Sequence, residues 1–84
     1  MRPDYPDALN SLGVLYVRER RNSEAEETLQ SCIRIAPDFD QPYINLARLY
    51  ALEQEKQKAR EVLLDLLKKQ PQNKVAQQEL EMLK

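Results

Sequence analysis

The chain repeats itself at a spacing of 34 residues, with no gap. Leu12, Leu15, Tyr16, Glu19, Ala25, Glu27, Leu29 and Pro37 recur as Leu46, Leu49, Tyr50, Glu53, Ala59, Glu61, Leu63 and Pro71. Self-similarity at a period of about 20 to 50 residues is the signature of stacked supersecondary units, each needing its neighbour to bury its apolar side. Such stacks present a curved surface to other molecules. The repeat therefore limits both the fold and the kind of function to be sought.

Hydrophobic periodicity predicts five helices and little strand. The first spans about 6–19, with Leu9, Leu12, Leu15 and Tyr16 at three- and four-residue steps on one face. Pro6 suits its entrance, where a missing N–H costs nothing. The second spans about 23–36. Ser23 and Glu26 have the capping-box spacing, and Ala25, Leu29, Cys32 and Ile33 form the buried stripe. The third, about 40–53, repeats the first through Tyr43, Leu46, Ala47, Leu49 and Tyr50. The fourth, about 57–69, repeats the second through Ala59, Val62, Leu63, Leu66 and Leu67. The fifth, about 74–84, is a half-repeat carrying Val75, Ala76, Leu80 and Leu83. Pro37 and Pro71 close the units, and the short connections make successive helices antiparallel.

These residues resemble the tetratricopeptide (TPR) pattern. The first copy reads Leu9-x2-Leu12-Gly13-x2-Tyr16, then Ala25, Leu29 and Pro37. The second reads Tyr43-x2-Leu46-Ala47-x2-Tyr50, then Ala59, Leu63 and Pro71. The resemblance implies an all-α solenoid: one repeat over 6–39, a second over 40–73, and a C-terminal capping helix over 74–84. Two departures stand out. Arg20 and Gln54 occupy the turn where the family often has Gly, and Leu66 occupies a slot that is usually small. At the start, Pro3-Asp4-Tyr5 lies 34 residues before Pro37-Asp38-Phe39. Residues 1–5 are thus read as the tail of a preceding unit or a linker, with Met1 supplied for expression. At the other end, Glu81 stands in the slot of Gly13 and Ala47, and Lys84 in that of Tyr16 and Tyr50. Neither buries cheaply, so the last helix is read as a polar-faced cap and a natural terminus.

Composition excludes several functions. Thirteen basic and 14 acidic residues leave a formal charge of -1, against the positive field that nucleic acids and anionic membranes require. No apolar run approaches the ~20 residues that span a bilayer, and the first residues do not resemble a signal peptide, so a soluble chain is expected, in a compartment left open. There is no histidine, one cysteine and one glycine. A general-base histidine, a zinc site and a glycine-rich phosphate loop are therefore all missing. Cys32, on a buried stripe, is read as a packed thiol. Glu24, Glu26 and Glu27 are read as a solvated helix start, and Arg18, Arg20 and Arg21 as an exposed turn. No enzyme activity, cofactor or metal is expected.

In proteins of this resemblance the first helix of each pair lines a concave groove. The lining expected here is Asp7, Asn10, Ser11, Val14, Val17 and Arg18 from the first helix. Gln41, Ile44, Asn45, Arg48, Ala51 and Leu52 come from the third, and Val75, Gln78 and Met82 from the capping helix. Val14, Val17, Ile44 and Leu52 look surplus to the repeat core and suggest an apolar docking patch. One branch of the family clamps a partner's C-terminal carboxylate with Lys, Arg and Asn. The matching slots carry Asn10, Val14, Asn45, Val75 and Glu79, of which only Asn45 fits. The expected partner is a protein or peptide, an apolar or amphipathic segment laid in the groove. The alternative is a homo-oligomer formed through the uncapped first helix, with Tyr5, Ala8 and Val14 in the contact. An RNA-binding helical repeat is a third reading, opposed by the acidic balance.

Overall fold

A computed structural model describes residues 5–83 and contains five helices. They are α1 (Pro6–Arg18), α2 (Asn22–Ile35), α3 (Asp40–Leu52), α4 (Lys56–Lys69) and α5 (Lys74–Met82). There is no strand among the described residues. The expectations for Pro3-Asp4 and for Lys84 lie outside them. Helix α1 packs on α2, α2 on α3, α3 on α4 and α4 on α5, while α1 also touches α3 and α3 touches α5. Helices α1, α3 and α5 therefore form one layer, with α2 and α4 behind them.

The core runs along the seam between the layers. Ala25, Leu29, Ala59 and Leu63 are fully buried, and Leu49 and Leu66 nearly or wholly so. Close approach within each pair depends on the small residues. A Cβ placed on Gly13 would stand 2.5 Å from Leu29 Cδ2 and 2.7 Å from its Cγ. Cys32 is also fully buried, and its thiol donates to the Pro6 carbonyl oxygen at 3.3 Å. Burial, with a smaller contribution from Asp7, pushes that thiol up, away from the thiolate a nucleophile needs.

The turn inside each pair is the same structure twice. The Arg21 N–H reaches the Tyr16 carbonyl at 2.8 Å and the Arg20 N–H reaches that of Val17 at 3.0 Å. In the second pair, Glu55 reaches Tyr50 at 2.8 Å and Gln54 reaches Ala51 at 3.1 Å. This is the Schellman closure, whose C′ residue must be left-handed. Arg20 and Gln54 accordingly have φ of 61° and 65°. The family's frequent glycine at this slot thus has a backbone cause, and this chain carries side chains there under strain.

Several sequence expectations are corrected. Helix α2 starts at Asn22, one residue before the expected Ser23, and its cap position is Arg21 with no side-chain cap bond. The Schellman closure leaves only a short link, so the new helix begins before Ser23 can cap it. Glu26 does not reach back; it accepts the Tyr50 hydroxyl at 2.6 Å. Helix α4 likewise starts at Lys56 rather than Gln57. Helix α1 stops at Arg18 and α3 at Leu52, since Glu19 and Glu53 are the cap residues. Leu15, expected on the inward face, is 47% exposed because no helix among the described residues lies over that side of α1. Asn73 was missed as a cap: its Oδ1 accepts the Ala76 N–H at 3.0 Å and starts α5.

Polar bonds tie one unit to the next. Tyr50 joins the pairs through Glu26, and Gln30 Nε2 donates to its hydroxyl at 3.2 Å. The Tyr43 hydroxyl donates to the Pro37 carbonyl at 2.7 Å. Gln70 Nε2 donates to the Asp38 carbonyl at 2.8 Å, and Asn73 Nδ2 to Asp40 Oδ2 at 3.1 Å, so the two inter-unit loops are laced together. Burial first, then the bond to Glu26 and its charge, push the Tyr50 phenol up to about 12.

These contacts generate three stability predictions. Gly13→Ala gains ~1 kcal/mol of helix propensity but meets an overpacking cost of ~1–3 kcal/mol, so its thermal midpoint falls. Arg20→Gly and Gln54→Gly relieve the left-handed strain and each raise stability by ~0.5–1 kcal/mol. Circular-dichroism melts of the three variants check both directions. Tyr50→Phe costs ~1–2 kcal/mol at neutral pH by leaving Glu26 and Gln30 short of a partner. Because the folded phenol titrates above its unfolded value of ~10, its contribution is complete below that pH. It is then lost as pH rises through about 12. Urea titrations across this window should show a shallower decline for Tyr50→Phe than for the parent chain.

Candidate functional site

The layer of α1, α3 and α5 is the face on which the sequence places the groove. Three depressions mark it. On α1, Asn10, Ser11, Val14, Leu15 and Arg18 line one of about 360 Å³. In the middle, Asp40, Gln41, Ile44, Asn45, Arg48 and Val75 line one of about 380 Å³. Toward the C-terminal ends of α3 and α5 lies the largest, about 620 Å³, bounded by Ala47, Arg48, Ala51, Leu52, Leu63, Glu79, Met82 and Leu83.

Most of the expected lining is thereby brought together, but in different roles. Asn10 is buried, not exposed: its Nδ2 donates to Gln41 Oε1 at 3.1 Å and its Oδ1 accepts Asn45 Nδ2 at 3.0 Å. This ladder joins α1 to α3 and satisfies the amides. Ile44 is 6% exposed and belongs to the core, and Val17 packs against that core. The sequence reading of both as surplus to the core is therefore corrected: α3 packs against α1, α2, α4 and α5, and Ile44 is buried among them. Asp7, Val17 and Gln78 line none of the three depressions, whereas Leu52 and Met82 are 71% and 77% exposed. Leu63, Leu83 and Ala47 were not expected at the site. The sequence assigns them to core or cap; Ala47 and Leu63 remain buried and Leu83 half-buried, and they form the bottom of the cleft.

Arg48 spans the face. Its Nε bonds Glu79 Oε1 at 2.9 Å, and its second terminal nitrogen lies 3.4 Å from Oε2, so a two-point ion pair ties α3 to α5. The pair separates the middle depression from the large cleft, since Arg48 lines both. Glu79 thus has its charge answered, and Asn45 has its amide committed to Asn10. No cluster of His, Cys, Asp or Glu that could hold a metal exists among the described residues. No helix among them is long and apolar enough to cross a membrane.

Comparison with known families places this geometry in a class. A tetratricopeptide repeat profile matches residues 16–81, most of both helix pairs and much of α5. The chain belongs to the tetratricopeptide repeat family, whose members are in general protein–protein interaction modules on a scaffold that is typically non-catalytic. No curated protein matches it.

The ion pair predicts how α5 is held. Helix α5 has nine residues and rests on Ala76, the Asn73 cap and the Arg48–Glu79 pair. Glu79→Gln should speed hydrogen exchange of α5 amides by about two- to fivefold, the effect of a part-exposed pair worth up to ~1 kcal/mol, and leave α2 unchanged. Added salt should narrow the difference between variant and parent.

Proposed function

We propose that the chain docks an amphipathic or apolar helical segment of a protein partner on the α1–α3–α5 face, anchored in the large cleft. The observation that carries this is the cleft's chemistry. Two exposed large apolar side chains, Leu52 and Met82, flank a concavity floored by Ala47, Leu63 and Leu83. Exposed apolar side chains around a concavity mark interaction sites, and an amphipathic helix fills a groove of this kind with side chains at i, i+3, i+4 and i+7. The Arg48–Glu79 pair at one edge offers a polar contact for the helix's other face.

A carboxylate clamp has less support. It needs basic side chains and a free amide, and the one fitting residue, Asn45, is bonded to Asn10. The face therefore suits the side chains of a segment rather than its terminus.

A fluorescence-anisotropy screen of amphipathic helical peptides tests the reading. Peptides that bind should lose at least about tenfold in affinity with Leu52→Asp or Met82→Asp, since each places a charge in a desolvated contact. Lys68→Glu, on the opposite layer, should leave affinity within about twofold. Ile44 is unsuited as a probe because its burial makes a charge there a folding defect. Binding that ignores both cleft substitutions would defeat the proposal.

A further inference from the structure

The stripe Ala8–Leu12–Leu15 on α1 is one of three equivalent surfaces. Its counterparts at the repeat spacing are Pro42–Leu46–Leu49 on α3 and Ala76–Leu80–Leu83 on α5. The α3 stripe is sealed against α2, with Leu49 1% exposed. The α5 stripe packs on α4, with Ala76 fully buried. On α1 the same register holds Leu15 at 47% exposure. The stripe is thus a helix-packing surface by chemistry, and among the described residues its Leu15 is exposed while Ala8 and Leu12 are half-buried.

We propose that this stripe is a homotypic interface, in which α1 of one chain packs antiparallel on α1 of a second copy about a two-fold axis. Two observations select that occupant. The first is the mismatch between the ends of the stack. The exposed side of α5 carries Gln77 and Glu81, so a head-to-tail contact would press Leu15 against amides and a carboxylate. Head-to-head contact sets apolar on apolar and closes after two copies. The second is charge. Asp7 in the first turn of α1 and Arg18 in its last turn are exposed and flank the stripe on the same side. A two-fold axis reverses the helix and returns each flank to itself, so Asp7 of each copy meets Arg18 of the other. A parallel pairing about a two-fold would carry that flank to the opposite side of the contact, leaving Asp7 and Arg18 without an opposite charge to meet. One helix face of 13 residues supplies less than the ~800 Å² per partner of a standard interface, which places the dimer in the small, weak class.

Sedimentation equilibrium from about 5 to about 500 μM, the range in which weak dimers form, tests the proposal. The mass should rise from 9.9 kDa toward twice that value and stop there. Leu15→Glu should weaken association by more than about a hundredfold with helical content unchanged, since the site is already half exposed in the monomer. Asp7→Arg and Arg18→Asp should each weaken it by about two- to fivefold, and D7R/R18D should recover the parent affinity. Leu52→Asp should have no effect, which separates this interface from the groove. A monomer at every concentration, a dimer indifferent to Leu15→Glu, a failure of the double charge reversal to recover, or growth beyond two copies would each overturn the proposal.

Discussion

The close approach of paired helices at Gly13 is the contact on which the architecture rests. Leu29 fills the space a side chain would take there, and Ala25 meets the pair from the facing helix with no exposure at all. The second pair uses Ala47, Ala59 and Leu63 in the same slots. When two helices sit this close, their side chains lock into one crossing geometry, and that geometry is copied 34 residues on. A uniform crossing angle is what makes units stack in phase, and stacking is what aligns α1, α3 and α5 into one layer. The α1–α3–α5 face is thus a consequence of small residues buried behind it.

Polar bonds then fix the register that apolar packing only favours. Tyr50, Glu26 and Gln30 bridge the pairs at one end, and the Asn10–Gln41–Asn45 ladder joins α1 to α3 along the front. Asn10 and Tyr50, the buried members, would be costly if left without partners, so the arrangement penalises a slip of one helix along another. The same economy shapes the binding face. Asn10, Asn45, Arg48 and Glu79, which might have met a ligand directly, are partnered within the chain, leaving the apolar cleft around Leu52 and Met82 as prominent accessible chemistry on this face.

Much of the fold was legible because its signals are local and recur. Helix positions, the buried Leu29, Leu63 and Cys32, and the Pro6 entrance follow from periodicity and from what proline cannot do. The errors share another origin. Ser23 had the spacing of a cap but lost the position to the Schellman turn that precedes it, which depends on where α1 ends. Leu15 matched Leu49 in sequence and differs only in having no helix over it. Asn73, by contrast, carried a readable signal, a strong cap former directly before an apolar stretch, and went unused. At the site, the sequence identified most side chains that reach the front layer. It assigned Ile44 and Asn10 to the surface because a helical wheel does not reveal how deeply a neighbouring helix sits.

The sequence alone determined that the chain is helical, that it is built from two matched pairs and a half-unit, and which residues must be small, since spacing, propensity and proline placement act within a few turns. Tertiary structure decided which of the equivalent stripes is covered, which amides are bonded to one another, and that Leu63 and Leu83 lie beneath the cleft beside Arg48 and Glu79. Those outcomes depend on distances between helices far apart in the chain, and identical residues at identical repeat positions take different environments according to what stands next to them.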